Sequence, residues 1–507
     1  MTTAYLFLCA VRDYLREMNV SPVEVVENQI RGSSVDNEGN SVYRYRVELQ
    51  YNDSKDVLIQ IASGNIPPEG TEGTRSIKNI VHAYWTIRKL FDLNFQKDEK
   101  RLRKFYAFFT KNVKLIRIKT ISVAQALKIF ETINDRGKGL DAMDLLKNLM
   151  FMHAKQAEFD KIKVKWKSLV DILYKANEKP LRFLRYFIIA HYDAERLWED
   201  EIYTWFLKNE SRCGYRETPV QFVDFLLAVS RQYTHFIKGK DTRGESNRYL
   251  ENIRMLSGSA RQHLILLLAG RNLNKELFIE LCKHTENLLF TYIITRENTR
   301  EFEQKFAQWA KEVRRIQTHE QLDAFFLSRF EPAKEDLRSR FDLTFSTIKL
   351  QDLQRYRMRY LLGKMTQYVD EAPLRGGGEY SNLITYTNKN VHIEHILPDK
   401  PSVDSLKEFD KPEVFFLYNQ RLGNLALAEE SLNTFLGNKP YSQKRPYYEK
   451  SRFLLTRCIT AIPKIGGNTA YDRVTRNLES FDQWTSESIE KRQIQLVKLA
   501  RDVWQMP

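Results

Sequence analysis

The residues best suited to chemistry lie in the last third of the chain. Glu394 and His395 are adjacent in the segment VHIEHILPDK. Asn424 follows His395 by 29 residues, and Asn433 follows Asn424 by nine. An imidazole titrates near pH ~6.5 and can accept a proton at neutral pH, while carboxylate and amide oxygens are hard donors that suit divalent cations. The pattern therefore contains the groups that acid–base and metal chemistry require.

Each of these residues also has an ordinary structural interpretation. A histidine beside a glutamate is more often a satisfied pair, and asparagines are common in turns and helix caps. The combination of EHxxP, GNL and the nine-residue step to Asn433 favours one shared site over four unrelated residues.

This order and spacing resembles the HNH, or His-Me finger, nuclease family, in which an acidic residue or His precedes a catalytic His and further Asn or His residues follow. The resemblance implies that His395 is the general base of phosphodiester hydrolysis and that Asn424 orients its ring. It also implies that Glu394 and Asn433 hold one divalent metal, Mg²⁺ or Mn²⁺. Further candidates for a ligand or a supporting partner are Asn438 and His392.

A basic segment with interleaved tyrosines surrounds this pattern. The sequence NKPYSQKRPYYEKSRFLLTR, residues 438–457, has six Lys or Arg, one Glu and three Tyr. Cations beside rings that can stack indicate a DNA-contact surface, although an ordinary basic helix face is the alternative. The residues expected to bind DNA are Lys439, Lys444, Arg445 and Arg421.

A second block, FETINDRGKGLDAMDLLKN at Phe130–Asn148, extends the resemblance. With the IEHILP, LGNLAL and NKPYSQK blocks and a closing W-x-x-x-x-I-x-x-R pattern, it resembles bacterial defence proteins related to the GmrSD modification-dependent (type IV) restriction enzymes. In that family a ParB-like nucleotidase domain precedes an HNH nuclease, and members cleave modified phage DNA. The resemblance covers nearly the whole chain and implies an anti-phage endonuclease acting on foreign or modified DNA.

The chain departs from this family at its N-terminus. The motif Asp-Gly-Gln-Gln-Arg followed by Leu-Thr-Thr is not found, and residues 1–3 stand where its end would fall. The apolar run Ala4–Val11 predicts a helix that needs cover on every side. We therefore expect a truncated ParB-like segment without NTPase activity of its own. A late reading frame, a shortened gene or a separate nucleotidase subunit would each explain the departure, and an NTP would bind only where the motif is supplied.

Two alternatives remain open from sequence alone. The chain could be a non-cleaving protein, either decayed or regulatory, that binds DNA, or a subunit that cuts DNA only with a nucleotidase partner. A turn in the second block could contact a nucleotide or phosphate, or could simply join two helices, with glycine supplying the bend. Its residues are Asn134, Asp135, Arg136 and Gly137.

Composition fits a globular protein with an anionic partner. The 507 residues carry 80 Lys and Arg against 65 Asp and Glu, a formal charge of +15, and 42% are hydrophobic. A positive balance favours polyanions such as DNA. The four cysteines stand singly, which indicates a reducing cytoplasm, and no apolar stretch is long enough to cross a membrane.

The elements expected to position the site give an α+β, mainly α-helical fold. Alternation over residues 43–51 predicts a strand, Ser76 a helix cap, Val113–Ile118 another strand and Ala124–Phe130 part of a helix. Gly376–Gly378 suggests a flexible joint, and Thr485 caps a closing helix. We expect a truncated ParB-like α/β segment at 1–150, a helical region at 151–335 and a ββα-metal (HNH) nuclease domain at 336–507.

Overall fold

A computed structural model describes residues 2–20, 23–47, 49, 52–114, 142–374, 380–465 and 469–507. The described residues are mainly helical, with two small antiparallel sheets of two strands each. This confirms the α+β, mainly α-helical class. The chain divides into two compact units, Met1–Ile129 and Phe130–Pro507.

The first unit packs helices around a core of its own. Its apolar first helix has the predicted character, since Cys9, Ala10 and Val11 are fully buried in that core. The described elements are α1 Thr2–Glu17, α2 Glu24–Ile30, β1 Arg31–Val35, β2 Ser41–Tyr45, α3 Asn52–Ser63, α4 Arg75–Phe95 and α5 Glu99–Asn112.

Two predictions for this unit are corrected in their limits. The strand predicted over 43–51 is β2, which begins earlier and ends at Tyr45, where its pairing with β1 stops. The cap of α4 is Thr74 rather than Ser76, because the Thr74 side chain accepts the Ile77 amide. In both cases contacts in the folded protein, and not the local sequence pattern, determine where the element begins or ends.

Several predictions lie outside the described residues. These are most of the Val113–Ile118 strand, the Ala124–Phe130 helix segment, the Asn134–Gly137 turn and the Gly376–Gly378 joint.

The second unit is a helical assembly whose continuous core includes residues from Met143 to Met506. Its helices before the second sheet are α6 Ala142–His153, α7 Phe159–Lys175, α8 Pro180–Tyr192, α9 Ile202–Lys208, α10 Glu210–Cys213, α11 Pro219–Ile237, α12 Arg248–Ser257, α13 Leu264–Ala269, α14 Lys275–Ile294, α15 Thr299–Val313, α16 His319–Phe325, α17 Glu331–Glu335, α18 Arg338–Thr347, α19 Arg355–Asp370 and α20 Ile384–Thr387.

The second sheet and the helices around it complete this unit. Thr485 caps the closing helix through the Ser488 amide, which confirms the predicted cap. The elements are β3 Val391–His395, α21 Val403–Glu408, α22 Phe415–Tyr418, β4 Leu425–Glu429, α23 Glu430–Leu436, α24 Tyr441–Tyr448, α25 Leu454–Arg457, α26 Ala470–Thr475 and α27 Ser486–Trp504. Short 3-10 or π turns occur at Gln156–Glu158, Glu199–Glu201, Phe326–Phe330, Leu350–Asp352, Ala372–Leu374, Pro412–Val414 and Leu422–Asn424.

Candidate active site

The antiparallel pair of β3 and β4 positions the conspicuous histidine. His395 is the last residue of β3 and pairs with Leu425, the first residue of β4. Successive side chains of a strand point to opposite faces, so His392 and Glu394 share one face. Helix α23 follows β4 directly and packs against both strands. The described residues thus contain a strand–strand–helix arrangement with His395 at its open end.

The His395 ring has an unused hydrogen-bonding atom. Its Nε2 is buried and has no hydrogen-bond partner among the described residues. Burial lowers the pKa of the imidazole, Asp399 opposes this shift and Lys444 adds to it. A buried ring nitrogen without a partner is costly unless another group satisfies it, so a water or substrate atom is the expected partner.

Glu394 lies in a buried ion pair on the helix-facing side of β3. Lys444 Nζ donates to Glu394 Oε1 at 2.7 Å, and the Tyr448 hydroxyl donates to the same oxygen at 2.9 Å. The side chains of Lys444 and Glu394 are 0% and 4% exposed. Burial raises the pKa of Glu394, whereas Lys444 and Tyr448 oppose that shift. The ammonium thus supports an anionic carboxylate in the interior.

The expected contact between the Asn424 amide and the His395 ring is not made. Asn424 Nδ2 donates to the carbonyls of Leu397 and Asn419, both at 2.8 Å. Its Oδ1 accepts the Leu397 amide at 2.7 Å and the Trp484 indole N–H at 2.8 Å. These four bonds use the full capacity of a primary amide. Asn424 therefore shapes the chain just after His395 and does not orient the ring directly.

Asn433 lies on the same side of the hairpin as Glu394. Its Nδ2 is 3.5 Å from His392 Nδ1, and His392 shares its strand face with Glu394. Asn438 is exposed beyond the end of α23, and its backbone carbonyl accepts the Ser405 hydroxyl. The structure thus brings His392 and Asn433 together but gives Asn438 no contact with them.

A metal here would depend on few protein ligands. The described residues contain no group of three or more His, Cys, Asp or Glu side chains that could hold a metal. Mg²⁺ commonly uses one or two carboxylates and retains several waters. Glu394, the carboxylate predicted to hold it, is almost wholly buried and is paired with Lys444. Because Lys444 already binds Glu394 Oε1, a cation would have to use the other carboxylate oxygen.

Two of the four residues predicted to contact DNA are engaged within the fold. Lys444 is wholly buried against Glu394, and its Nζ also donates to the His395 carbonyl at 2.7 Å. Arg421 donates to Gln493 at 3.0 Å and is only 23% exposed. Lys444 is therefore unavailable to a phosphate, and Arg421 is held by contacts within the fold.

The other two predicted contacts remain at the surface. Lys439 Nζ donates to the Phe435 carbonyl and lies 3.6 Å from the centre of the Phe435 ring. Arg445 pairs with Asp482 and is 41% exposed. Both cations are accessible enough to approach an anionic partner.

Sequence reasoning missed three residues that support this site, Tyr448, Trp484 and Arg492, and gave Lys444 a different role. Lys444 and Tyr448 are one helical turn apart on α24, and this spacing placed them together on the β3-facing side. Trp484 and Arg492 belong to the W-x-x-x-x-I-x-x-R pattern, which carried no assigned role. The pattern can be seen in the sequence, but its role could not be inferred because the residues it contacts, Gly423 and Asn424, are distant in the chain.

Comparison with known families covers both ends of the chain. The model described as the N-terminal domain of the GmrSD restriction endonucleases matches residues 1–151, and the model of their C-terminal domain matches residues 336–499. A search of curated proteins finds no match. No helix in the described part of the chain has the length and apolar character to span a membrane. Because the two domain models occur in the family's order and together match more than half of the residues, this chain belongs to the GmrSD restriction endonuclease family.

Proposed function

We propose that this protein is an HNH-type, metal-dependent endonuclease with His395 as its general base, which restricts foreign or modified DNA in anti-phage defence. Membership of the GmrSD family makes it a restriction-type endonuclease with DNA as substrate. The observation that carries the finer assignment is the buried His395 Nε2 without a partner at the end of β3. That nitrogen is suited to take a proton from the attacking water.

Glu394 and Asn433 are the residues that would hold a divalent cation, Mg²⁺ or Mn²⁺. When bound, such an ion supplies positive charge for the phosphate and the departing oxygen. Lys444 keeps Glu394 in place, and Asn424 holds the backbone that follows His395. The exposed Lys439 and Arg445 would bind DNA phosphates, where the opposing Asp482 is readily displaced because surface ion pairs are weak.

Substitution of His395 by alanine tests this proposal. We expect cleavage of plasmid and phage DNA in Mg²⁺ to fall roughly 10²- to 10⁴-fold, the range for loss of a general base. His319→Ala is the matched control, because His319 is an exposed histidine on α16 that contacts Glu280 instead. Chelation with EDTA should stop wild-type cleavage, and added Mg²⁺ or Mn²⁺ should restore it.

Two outcomes would contradict the proposal. If His395→Ala cuts DNA as fast as His319→Ala does, His395 is not the base. If the wild-type chain binds DNA with a steep salt dependence but never cuts in any divalent metal, a DNA-binding or partner-dependent role replaces it.

A further inference from the structure

The closing segment of the chain contacts the turn that leads into β4. We call residues Gly423–Leu425 the GNL turn. Trp484, Ile489 and Arg492 form the W-x-x-x-x-I-x-x-R pattern, and each of the three lies against this turn. Helix α27 spans Ser486–Trp504, so two of these residues project from it and Trp484 immediately precedes its cap.

Trp484 acts on the turn through one hydrogen bond. Its indole N–H donates to Asn424 Oδ1 at 2.8 Å, and both side chains are buried. The same oxygen accepts the Leu397 amide at 2.7 Å. Trp484 therefore fixes the amide that holds the backbone two residues beyond His395.

Arg492 binds the two carbonyls on either side of Asn424. One guanidinium nitrogen donates to the Gly423 carbonyl at 2.7 Å and to the Leu425 carbonyl at 2.8 Å. Arg492 is 4% exposed, and within the described part of the chain no carboxylate forms an ion pair with it. Burial lowers the pKa of this guanidinium to about 10. Burying a cation without a counter-ion costs free energy because the charge loses its hydration. The hydrogen bonds to the two carbonyls offset that cost, which indicates that they are the role of this side chain.

The backbone carbonyl of Ile489 shows how closely the helix approaches the turn. A Cβ on Gly423 would lie 2.1 Å from the Ile489 carbonyl oxygen, closer than atoms can come. Gln493, one residue beyond Arg492, also accepts the Gly423 amide at 3.4 Å. The turn is therefore held against α27 along its backbone, and only glycine permits that distance.

The GNL turn is adjacent to His395 and to the residue that follows it. Leu425 is the register partner of His395, and the Asn424 carbonyl accepts the Ile396 amide at 3.0 Å. Contacts made by Trp484 and Arg492 therefore reach the His395 backbone through a single intervening turn.

We propose that Trp484 and Arg492 are positioning residues that hold the GNL turn so that His395 is presented at the end of β3. This inference rests on the proposed nuclease function of His395. Neither residue touches the His395 ring in the described contacts, so their effect on catalysis is transmitted through the backbone.

Trp484→Phe keeps an aromatic ring but removes the indole donor, together with the volume of the second ring. We expect kcat for DNA cleavage to fall roughly 10- to 100-fold, as misplacement of a catalytic group by a distant change can cause, while KM for DNA changes less than about two-fold. Trp504→Phe is the matched control, since Trp504 is equally buried in α27 but stacks on Phe290 in the helical core. Arg492→Lys should retain more activity than Arg492→Met, because lysine still offers a cation to a carbonyl.

Amide hydrogen exchange provides a readout that does not depend on cleavage. The Leu397 amide should exchange faster in Trp484→Phe than in Trp504→Phe, because its acceptor Asn424 loses the indole bond. Equal Leu397 exchange in the two variants, or equal kcat, overturns the inference. Failure of the proposed function is separate: it would appear as equal cleavage by wild type and His395→Ala, whatever the exchange result.

Discussion

At the scale of single residues, lysines of one basic segment have two different roles: Lys444 forms a buried ion pair with Glu394, and others lie at the surface. Lys444 lies in the interior with a carboxylate and a backbone carbonyl, whereas Lys450, six residues later, lies over the Tyr447 ring at the surface. Charge density along the sequence is the same for both. Their different burial decides that one is structural and the other is open to a ligand.

Lys444→Met should destabilise the protein strongly, since it leaves the Glu394 charge buried without its partner. The expected loss is about 3–5 kcal/mol in free energy of unfolding, the range for breaking a buried ion pair from one side. Lys450→Met should cost at most about 1 kcal/mol, the size of an exposed cation–aromatic contact. Urea unfolding of both variants measures the difference. Equal losses would show that the buried pair contributes no more than a surface cation.

At the scale of elements, the hairpin depends on the close approach of α27 to Gly423 as much as on the pairing of β3 with β4. Gly423 leads into β4, and its contact with α27 leaves no space for a side chain. The turn therefore couples the second strand to the closing helix.

Gly423→Ala should destabilise the second unit by at least about 1–3 kcal/mol, the usual cost of forcing an extra methyl group into a packed interior. Gly32→Ala is the comparison, because a Cβ there would lie 4.0 Å from its nearest neighbouring atom, the Arg44 carbonyl oxygen. Thermal unfolding should show a clear drop in Tm for the first substitution and little change for the second. A Gly423→Ala protein with wild-type Tm would contradict the packing described.

Sequence patterns predicted elements where local spacing determines them. The apolar run of α1 and the Thr485 cap of α27 were both predicted correctly, because helix periodicity and helix caps are local signals. Strand β1, RGSSV, was missed because it lacks alternating apolar residues and is defined by its pairing with β2.

For the candidate site, the sequence predicted which residues lie together on a hairpin but not which groups their side chains contact. Asn424 was assigned to the His395 ring, yet its amide is directed by Leu397 and by Trp484, which is 60 residues away in the chain. The predicted DNA contact of Lys444 fails for a related reason, because the burial of a side chain depends on the assembled fold and cannot be read from local sequence. Contacts of this range have no signature in local spacing.

At the scale of the whole molecule, the helical middle and the hairpin share one core. Residues of α6, β4 and α27 belong to the same continuous apolar cluster. Helix α19 runs through this cluster and ends at Asp370, whose carboxylate accepts the Leu454 amide at 2.7 Å. Burial raises the pKa of Asp370 to about 7 from 3.8, while Leu454, Tyr386, Arg457 and Arg452 oppose the shift.

This shift makes stability depend on pH in a defined direction. Because the pKa is higher in the folded protein, folding retains a proton that the unfolded chain releases, so the stabilising contribution is complete below pH ~4 and is lost as pH rises to about 7. Asp370→Asn removes this dependence, so the variant should gain in free energy of unfolding relative to wild type between about pH 4 and pH 8. Urea unfolding across that range measures it, with Asp323→Asn as an exposed control. A constant difference would contradict the raised pKa.

The order of the elements along the chain has a consequence for biosynthesis. Trp484 and Arg492 leave the ribosome after β3, β4 and α23, so a nascent chain that has emerged only as far as the hairpin cannot yet make their bonds to the GNL turn. The turn that pairs with the end of β3 therefore gains these bonds only after α27 has been translated.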